Sequence, residues 1–146
     1  MLLLAKVPKK GVFTICGAIQ AILFMLVGTF WVMPAILVIG GVIADFLILG
    51  FRSITIKSMI AAYSIFSGIF SFGYICPFIF LQDAYVDMML KNGIAQEFID
   101  SLLSLTSGFM PIIIVAAGLV GGLLGGYIGS KVLKKHFIKA GLVSVK

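Results

Sequence analysis

Residues 11–51 read GVFTICGAIQAILFMLVGTFWVMPAILVIGGVIADFLILGF, and this stretch decides the fold class. It has 41 residues and a single charged side chain, that of Asp45. One continuous helix of that length would be about 60 Å long, roughly twice the thickness of the hydrocarbon core of a bilayer. We therefore predict two membrane-spanning helices in this stretch, at residues 11–28 and 33–50.

Gly28, Trp31 and Pro34 mark the break between these two helices. Glycine commonly follows the end of a helix, and proline suits the first turn of the next one because it lacks a backbone N–H. Tryptophan is enriched where helices meet the membrane–water interface. The break is therefore expected at one surface of the bilayer.

The remainder of the chain contains two further apolar stretches, at residues 58–80 and 108–132. Between them, residues 81–106 form the one extended polar segment. Asn92-Gly93 is a turn signal within it, and apolar residues at helical spacing then predict one short amphipathic helix, at Ile94, Phe98, Leu102 and Leu105. The pattern predicts an all-α integral membrane protein with four transmembrane helices and one extracytoplasmic loop helix.

The basic residues indicate the orientation of these spans. Of the eleven Lys and Arg residues, ten fall on one side of the predicted membrane and only Lys91 on the other. Cytoplasmic segments carry an excess of Lys and Arg, so both termini are predicted to be cytoplasmic. The prediction is one multi-pass cell-membrane domain, residues 1–146, with spans at 11–28, 33–50, 58–80 and 108–132, an extracytoplasmic loop at 81–106 and a cytoplasmic basic tail at 133–146.

Composition excludes several other classes of protein. The chain is 62% hydrophobic and 11% charged, whereas soluble domains are roughly 45–50% apolar and about 25% charged. So short a chain cannot cover that much apolar surface with its own polar residues. A soluble enzyme, a secreted disulfide scaffold and a disordered chain are all disfavoured. The net charge of +6 is an orientation signal here, and no nucleic-acid partner is expected.

No pattern in the sequence indicates catalysis. The chain has no Ser/His/Asp set, no paired carboxylates within a span and no phosphate-binding glycine loop. The two cysteines, Cys16 and Cys76, fall at opposite ends of their predicted spans and belong to no cluster of metal-ligand residues. We therefore predict a protein that is not an enzyme, with no catalytic residue, no metal site and no cofactor of its own.

Asp45 is the only acidic residue inside a predicted span. A carboxylate at membrane depth is costly, so it is expected to face a partner group or a cavity. It could pair with Arg52, with Lys57 or with a partner subunit, which would make it a helix-packing residue. The alternative is a proton or cation site.

Two glycine ladders run along the last predicted span. Small residues four apart let two helices approach closely. This spacing predicts either packing inside the helix bundle or docking onto another protein. The ladders consist of Gly118, Gly122 and Gly126, and of Gly121, Gly125 and Gly129.

Polar and aromatic side chains concentrate at the predicted outer side of the bundle, close to the 81–106 loop. Aromatic faces with a few hydrogen-bonding groups are typical of a small-molecule pocket. An aromatic belt at the lipid interface is the alternative. The candidate substrate-binding residues are Thr29, Trp31, Tyr74, Gln82, Asp83 and Tyr85.

Three stretches together resemble a known family. They are LLLAKVPKKG at residues 2–11, VGTFW at 27–31 followed by GGVIAD at 40–45, and GGYIG at 125–129 followed by KKHFIKAG at 134–141. In order and spacing they resemble the MptD-type (Trep_Strep) family of S components of energy-coupling factor (ECF) transporters. The resemblance extends over essentially the whole chain.

The resemblance implies a six-helix bundle that captures a vitamin or similar micronutrient near the outer surface. It also implies partners, namely a transmembrane T component and two ATPases that use ATP. The four spans would correspond to helices three to six, so the chain is expected to lack the first two helices. Two alternatives come from other classes: an oligomeric four-helix channel or exchanger with Asp45 as its ion site, and a membrane assembly protein without a ligand.

Overall fold

The structure is a computed structural model that describes residues 11–50, 55–132 and 135. Within these ranges the regular elements are helices and no strand occurs, as predicted. The helices are α1 (Val12–Leu26), α2 (Val32–Gly50), α3 (Ile56–Phe80), α4 (Gln82–Lys91), α5 (Gln96–Leu105) and α6 (Met110–Val132).

All four apolar stretches form helices close to the predicted bounds. By length and composition, α3 and α6 could each cross a membrane, whereas α1 and α2 are shorter apolar helices. The prediction of a helix in each stretch is confirmed. That all four cross the bilayer, with both termini on the cytoplasmic side, stays a prediction.

The long helices follow one another in a row. Extensive contacts join α1 to α2, α2 to α3 and α3 to α6. The buried core lies mainly along the α1–α2–α3 part of this row and includes Leu37, Ala44, Met59 and Ala62. Each of the two inner helices, α2 and α3, is therefore covered by neighbours on two sides.

Glycines bring the backbones of α1 and α2 into direct contact. A Cβ atom on Gly17 would lie 2.6 Å from the Leu37 carbonyl oxygen. A Cβ atom on Gly41 would lie 2.6 Å from the Phe13 carbonyl oxygen. Both distances are shorter than van der Waals contact, so only glycine fits at either position without a shift of the backbone.

The contact between α3 and α6 uses the first glycine ladder. Gly122 lies against the backbone of Ser64, and the Ser64 hydroxyl donates a hydrogen bond of 2.6 Å to the Leu119 carbonyl oxygen. Gly118 and Gly126 extend the same contact in both directions. The second ladder lies on a different face of α6, where a Cβ atom on Gly121 would have no neighbour within 4 Å.

The loop between α3 and α6 contains two helices where one was predicted. Only Leu81 separates the missed helix, α4, from the end of α3. The helix has Asp83 in its first turn and Lys91 in its last, which suits the helix dipole. Its sequence is polar and lacks a clear apolar stripe, so periodicity does not reveal it. The predicted helix exists as α5, but its buried face centres on Ile99, whereas Phe98 is exposed.

Gly28 and Gly93 end their helices in the same way. Both have positive φ, 84° and 78°, which glycine adopts without strain. After α1, the Thr29 amide donates to the Phe24 carbonyl and the Gly28 amide to the Met25 carbonyl. This is a Schellman motif, which satisfies two carbonyl groups at the helix end. The turn predicted at Asn92-Gly93 is confirmed.

We expect Gly41→Ala to destabilise the protein by about 1–3 kcal/mol, because the new methyl group would force α1 away from α2. Thermal unfolding in detergent micelles measures this change. Gly121→Ala is the matched control, since its methyl group meets open space and alanine favours helix by up to about 1 kcal/mol. Equal unfolding temperatures for the two variants would contradict the close α1–α2 contact.

Candidate functional site

The carboxylate of Asp45 caps the start of a neighbouring helix. One oxygen, Oδ1, accepts a hydrogen bond of 3.1 Å from the Phe13 amide. The other, Oδ2, accepts hydrogen bonds of 2.8 Å from the Thr14 amide and 2.6 Å from the Thr14 hydroxyl. Asp45 is 8% exposed, so these bonds are shielded from water.

This cap replaces the one that the local sequence cannot supply. The residue before α1 is Gly11, which has no side chain to accept from the first amide groups of the helix. The Asp45 carboxylate on α2 accepts from two of them instead, and its negative charge suits the positive end of the helix dipole. Asp45 thus holds α1 against α2, which is a packing role within the chain.

The sequence predicted Lys57 or Arg52 as a cationic partner of Asp45. Lys57 is exposed at the start of α3, and its amine forms no ion pair with Asp45 among the residues described. Arg52 lies outside the described residues. The sequence indicated that a carboxylate within this apolar helix is energetically costly, but it did not indicate which groups bind it. A backbone amide 31 or 32 residues away leaves no local signal in the sequence.

The C-terminal ends of α1 and α3 and the N-terminal ends of α2 and α4 meet in an aromatic cluster, which we call the outer cluster because the sequence predicts that this end of the helices faces outward. Its centre is Phe30, whose ring lies 6.0 Å from that of Trp31 and 5.2 Å from that of Tyr85. The Tyr85 ring meets the Phe78 ring edge to face at 4.7 Å. These separations are typical of favourable aromatic pairs.

A second group of rings continues the outer cluster toward the middle of α1 and α3. The Phe70 ring lies 5.4 Å from the Tyr74 ring and 6.1 Å from the Phe24 ring. The Thr29 hydroxyl donates to the Phe24 carbonyl oxygen. Thr29 therefore has a structural partner at the end of α1, and its side chain closes the helix there.

The structure brings together four of the six predicted substrate-binding residues. Trp31, Tyr74 and Tyr85 belong to the cluster, and Thr29 borders it. Gln82 and Asp83 lie exposed at the start of α4. Trp31 is 62% exposed, so the cluster presents aromatic surface to its surroundings. Whether these residues bind a substrate stays a prediction.

The sequence did not single out the residues at the centre of the cluster. Phe30 and Phe78 are two of thirteen phenylalanines, and nothing local distinguishes them from lipid-facing ones. The connection from α3 to α4 through Leu81 is what folds Tyr85 back onto Phe78. If α4 had been predicted, the contact between these two rings could have been predicted too, because the two residues are seven positions apart across a single helix junction.

Burial affects the acidity of the cluster's central tyrosine. Desolvation raises the pKa of the Tyr85 phenol above its ordinary value of 10.0, and the Tyr74 phenol nearby adds to the rise. The neutral phenol is the favoured form, so at physiological pH Tyr85 can both donate and accept a hydrogen bond.

Cavities lie between the long helices in the part of the chain that the structure describes. One, of about 350 Å³, is lined by apolar side chains of α3 and α6, among them Phe72, Ile79 and Val115. Another, of about 230 Å³, lies between α1 and α3 and includes Gln20, Tyr63 and Ser67. Sequence reasoning could not have found Gln20, because a lone glutamine in an apolar helix carries no motif.

Comparison with known protein families identifies the family of this chain. The family model for Trep_Strep, described as a hypothetical bacterial integral membrane protein, matches residues 1–139. The chain belongs to this family. It is therefore an integral membrane protein, as the composition predicted. Comparisons with curated proteins and with solved structures gave no match.

Asp45→Ala should destabilise this membrane protein by about 1–3 kcal/mol, because it leaves the Phe13 and Thr14 amides without their acceptor. Asp45→Asn should cost less, since the amide oxygen still accepts but the charge is gone. Unfolding by heat in detergent measures both variants. Asp87→Ala, which removes an exposed carboxylate on α4, serves as the control. An Asp45→Ala protein as stable as this control would refute the cap.

The raised pKa of Tyr85 predicts a pH dependence of stability. The unfolded chain releases the phenol proton at lower pH than the folded chain does. The contribution of the Tyr85 phenol to the free energy of unfolding is therefore complete below about pH 10, and it is lost as the pH rises through the pKa of the folded protein. Between pH 9 and about 12, the unfolding temperature should fall further for the unchanged protein than for Tyr85→Phe. Parallel curves would contradict burial of this phenol.

Proposed function

We propose that this chain is the substrate-binding S component of an ECF-type importer. It captures a vitamin-like or other small micronutrient at the outer face of the membrane. The observation that carries the proposal is the outer cluster, which gathers Trp31, Tyr74 and Tyr85 at one end of the helix row beside α4. The resemblance of the whole chain to S components supports it.

The proposal includes a topology with four crossings and both termini in the cytoplasm. Charges at the two ends of the helix row support it. Lys131 lies in the last turn of α6, and its amine is 4.6 Å from the centre of the Tyr127 ring, an arrangement suited to a membrane interface. The opposite end carries the acidic residues of α4 and α5, which would then lie outside. The four long helices would supply four of the six in an S-component bundle.

Capture at the outer cluster would rest on ring stacking and a few hydrogen bonds. Trp31 and Tyr74 offer exposed ring surface, and the neutral Tyr85 phenol offers a donor and an acceptor. Gln82 and Asp83, exposed at the start of α4, would reach the ligand from above. The chain itself would hydrolyse nothing and bind no cofactor, because the two partner ATPases would use the ATP.

The T component would need a smooth helix face to dock on. The second glycine ladder offers one, since Gly121 and Gly125 are exposed on α6 and bear no side chain. Gly125 contacts only the edge of the Tyr63 ring, 3.6 Å from where its Cβ would lie. We therefore assign this face to docking and the first ladder to packing within the chain.

A stand-alone channel or exchanger with Asp45 as its ion site is the second candidate. The geometry of Asp45 disfavours it, because both carboxylate oxygens already accept hydrogen bonds from α1. An ion would have to displace bonds that hold two helices together. A membrane assembly protein without a ligand is the third candidate, and the exposed outer cluster disfavours that one.

Assembly is the decisive test of the proposal. Co-expression with a T component and two ATPases of a bacterial ECF importer should yield a complex that survives purification in detergent. Gly121→Leu should abolish the complex by adding bulk to the second ladder, whereas Val120→Leu, next to it in sequence and also exposed, should not. Failure of the unchanged chain to form any complex would overturn the proposal.

Trp31 makes ligand capture directly measurable, because it is the only tryptophan in the chain. Titration with thiamin, biotin and pantothenate should change its fluorescence for the ligand that binds. Tyr85→Phe should then weaken binding by about tenfold through loss of one hydrogen bond. Tyr127→Phe, at the other end of the helix row, should leave the affinity unchanged. Equal affinities for the two variants would exclude Tyr85 from the site.

A further inference from the structure

The cavity between α1 and α3 has a mixed lining that the outer cluster does not explain. Its volume is about 230 Å³, and its walls are Gln20, Tyr63, Phe66, Ser67 and Phe70. Gln20 comes from α1 and the other four come from α3. Gln20 and Tyr63 both keep exposed surface, so the cavity opens to the surroundings of the helix row.

This cavity lies at mid-depth in the two helices. Gln20 is eight residues into α1, about 12 Å from its start at 1.5 Å per residue. Tyr63 and Ser67 lie about 10 and 16 Å into α3, which spans 25 residues. In the proposed four-span topology, on which this step rests, these polar groups lie at the depth of the hydrocarbon, away from either aqueous surface.

The polar groups of the lining have unused hydrogen-bonding capacity. Within residues 11–50 and 55–132, no side-chain hydrogen bond involves the Gln20 amide, the Tyr63 hydroxyl or the Ser67 hydroxyl. The Ser67 carbonyl oxygen, by contrast, does accept from the Ser71 hydroxyl. Polar groups left unpaired in a bilayer cost free energy, so an occupant that bonds them all would be stabilised.

The lining also defines what kind of molecule would fit. Among the residues that the structure describes, no charged side chain borders the cavity, so an ion there would find no counter-charge from them in a medium of low dielectric constant. Phe66 and Phe70 supply flat apolar walls. Each of these two rings packs against another ring: Phe66 against Phe13, with the ring centres 5.9 Å apart, and Phe70 against Phe24, with the ring centres 6.1 Å apart.

The volume of the cavity further limits the class of molecule that could bind. Pockets for drug-sized ligands are usually about 300–1,000 Å³. A cavity of about 230 Å³ suits a molecule with one or two rings. The Gln20 amide both donates and accepts, so its natural complement is another amide or a similar donor–acceptor pair.

We propose that this cavity is a second binding site, which takes a small uncharged molecule with a flat ring and an amide-like group. The ring lies between Phe66 and Phe70, and the amide-like group pairs with Gln20 and with a hydroxyl of Tyr63 or Ser67. The site is separate from the outer cluster, although Phe70 borders both, with its ring 5.4 Å from Tyr74. It requires neither the T component nor transport.

Benzamide is a suitable probe, because it has one ring, one amide and no charge. Saturation-transfer difference NMR with the full chain in lipid nanodiscs should show transfer to the benzamide ring. Benzoate has the same ring and nearly the same size but carries a negative charge, and it should show at least tenfold weaker binding. Absence of benzamide binding, or equal binding of benzoate, would overturn the proposal.

Two substitutions locate the binding. Gln20→Leu removes the amide at a position already exposed to lipid, and Tyr63→Phe removes only the hydroxyl. Each should weaken benzamide binding by about tenfold, as expected for the loss of one good hydrogen bond. Gln96→Leu makes the first change on α5, where Gln96 bonds to Asp100 at 2.9 Å, and should have no effect. Benzamide affinities unchanged in both cavity variants would reject the site.

Discussion

The direct contact between the backbones of α1 and α2 is the constraint on which the rest of the structure depends. Gly17 and Gly41 allow the approach, and the approach in turn lets the Asp45 carboxylate reach the Phe13 and Thr14 amides. Neither feature works alone, because a side chain at Gly41 would move the amides out of reach. The hydrogen bonds in turn make a buried carboxylate tolerable in an apolar surrounding.

The position of α3 transmits this arrangement to the end of the helix row where α4 lies. It packs on α2 along one side and on α6 along another, where Ser64 and Gly122 meet. Its last turn leads through Leu81 into α4, which places Tyr85 against Phe78 and Phe30. The outer cluster is thus a product of helix order, since its rings come from four segments that only this packing brings together.

Hydropathy alone predicted the four long helices and their approximate bounds, because apolar runs of that length leave few alternatives. It missed α4, whose polar sequence has no apolar stripe, and it misplaced the buried face of α5. The sequence alone identified residues at the edge of the outer cluster, such as Trp31. Its centre, and the partners of Asp45, depend on contacts between distant residues, for which a single sequence carries no signal.

The cap on α1 also has a consequence for biosynthesis. Thr14 leaves the ribosome 31 residues before Asp45, so α1 is complete while its acceptor is still being made. Until α2 arrives, the first amides of α1 need water or lipid headgroups as partners. In the proposed topology, insertion of α1 alone would bury those amides unpaired, whereas insertion of α1 and α2 as a hairpin would not. We therefore expect the translocation machinery to release these two helices into the lipid together.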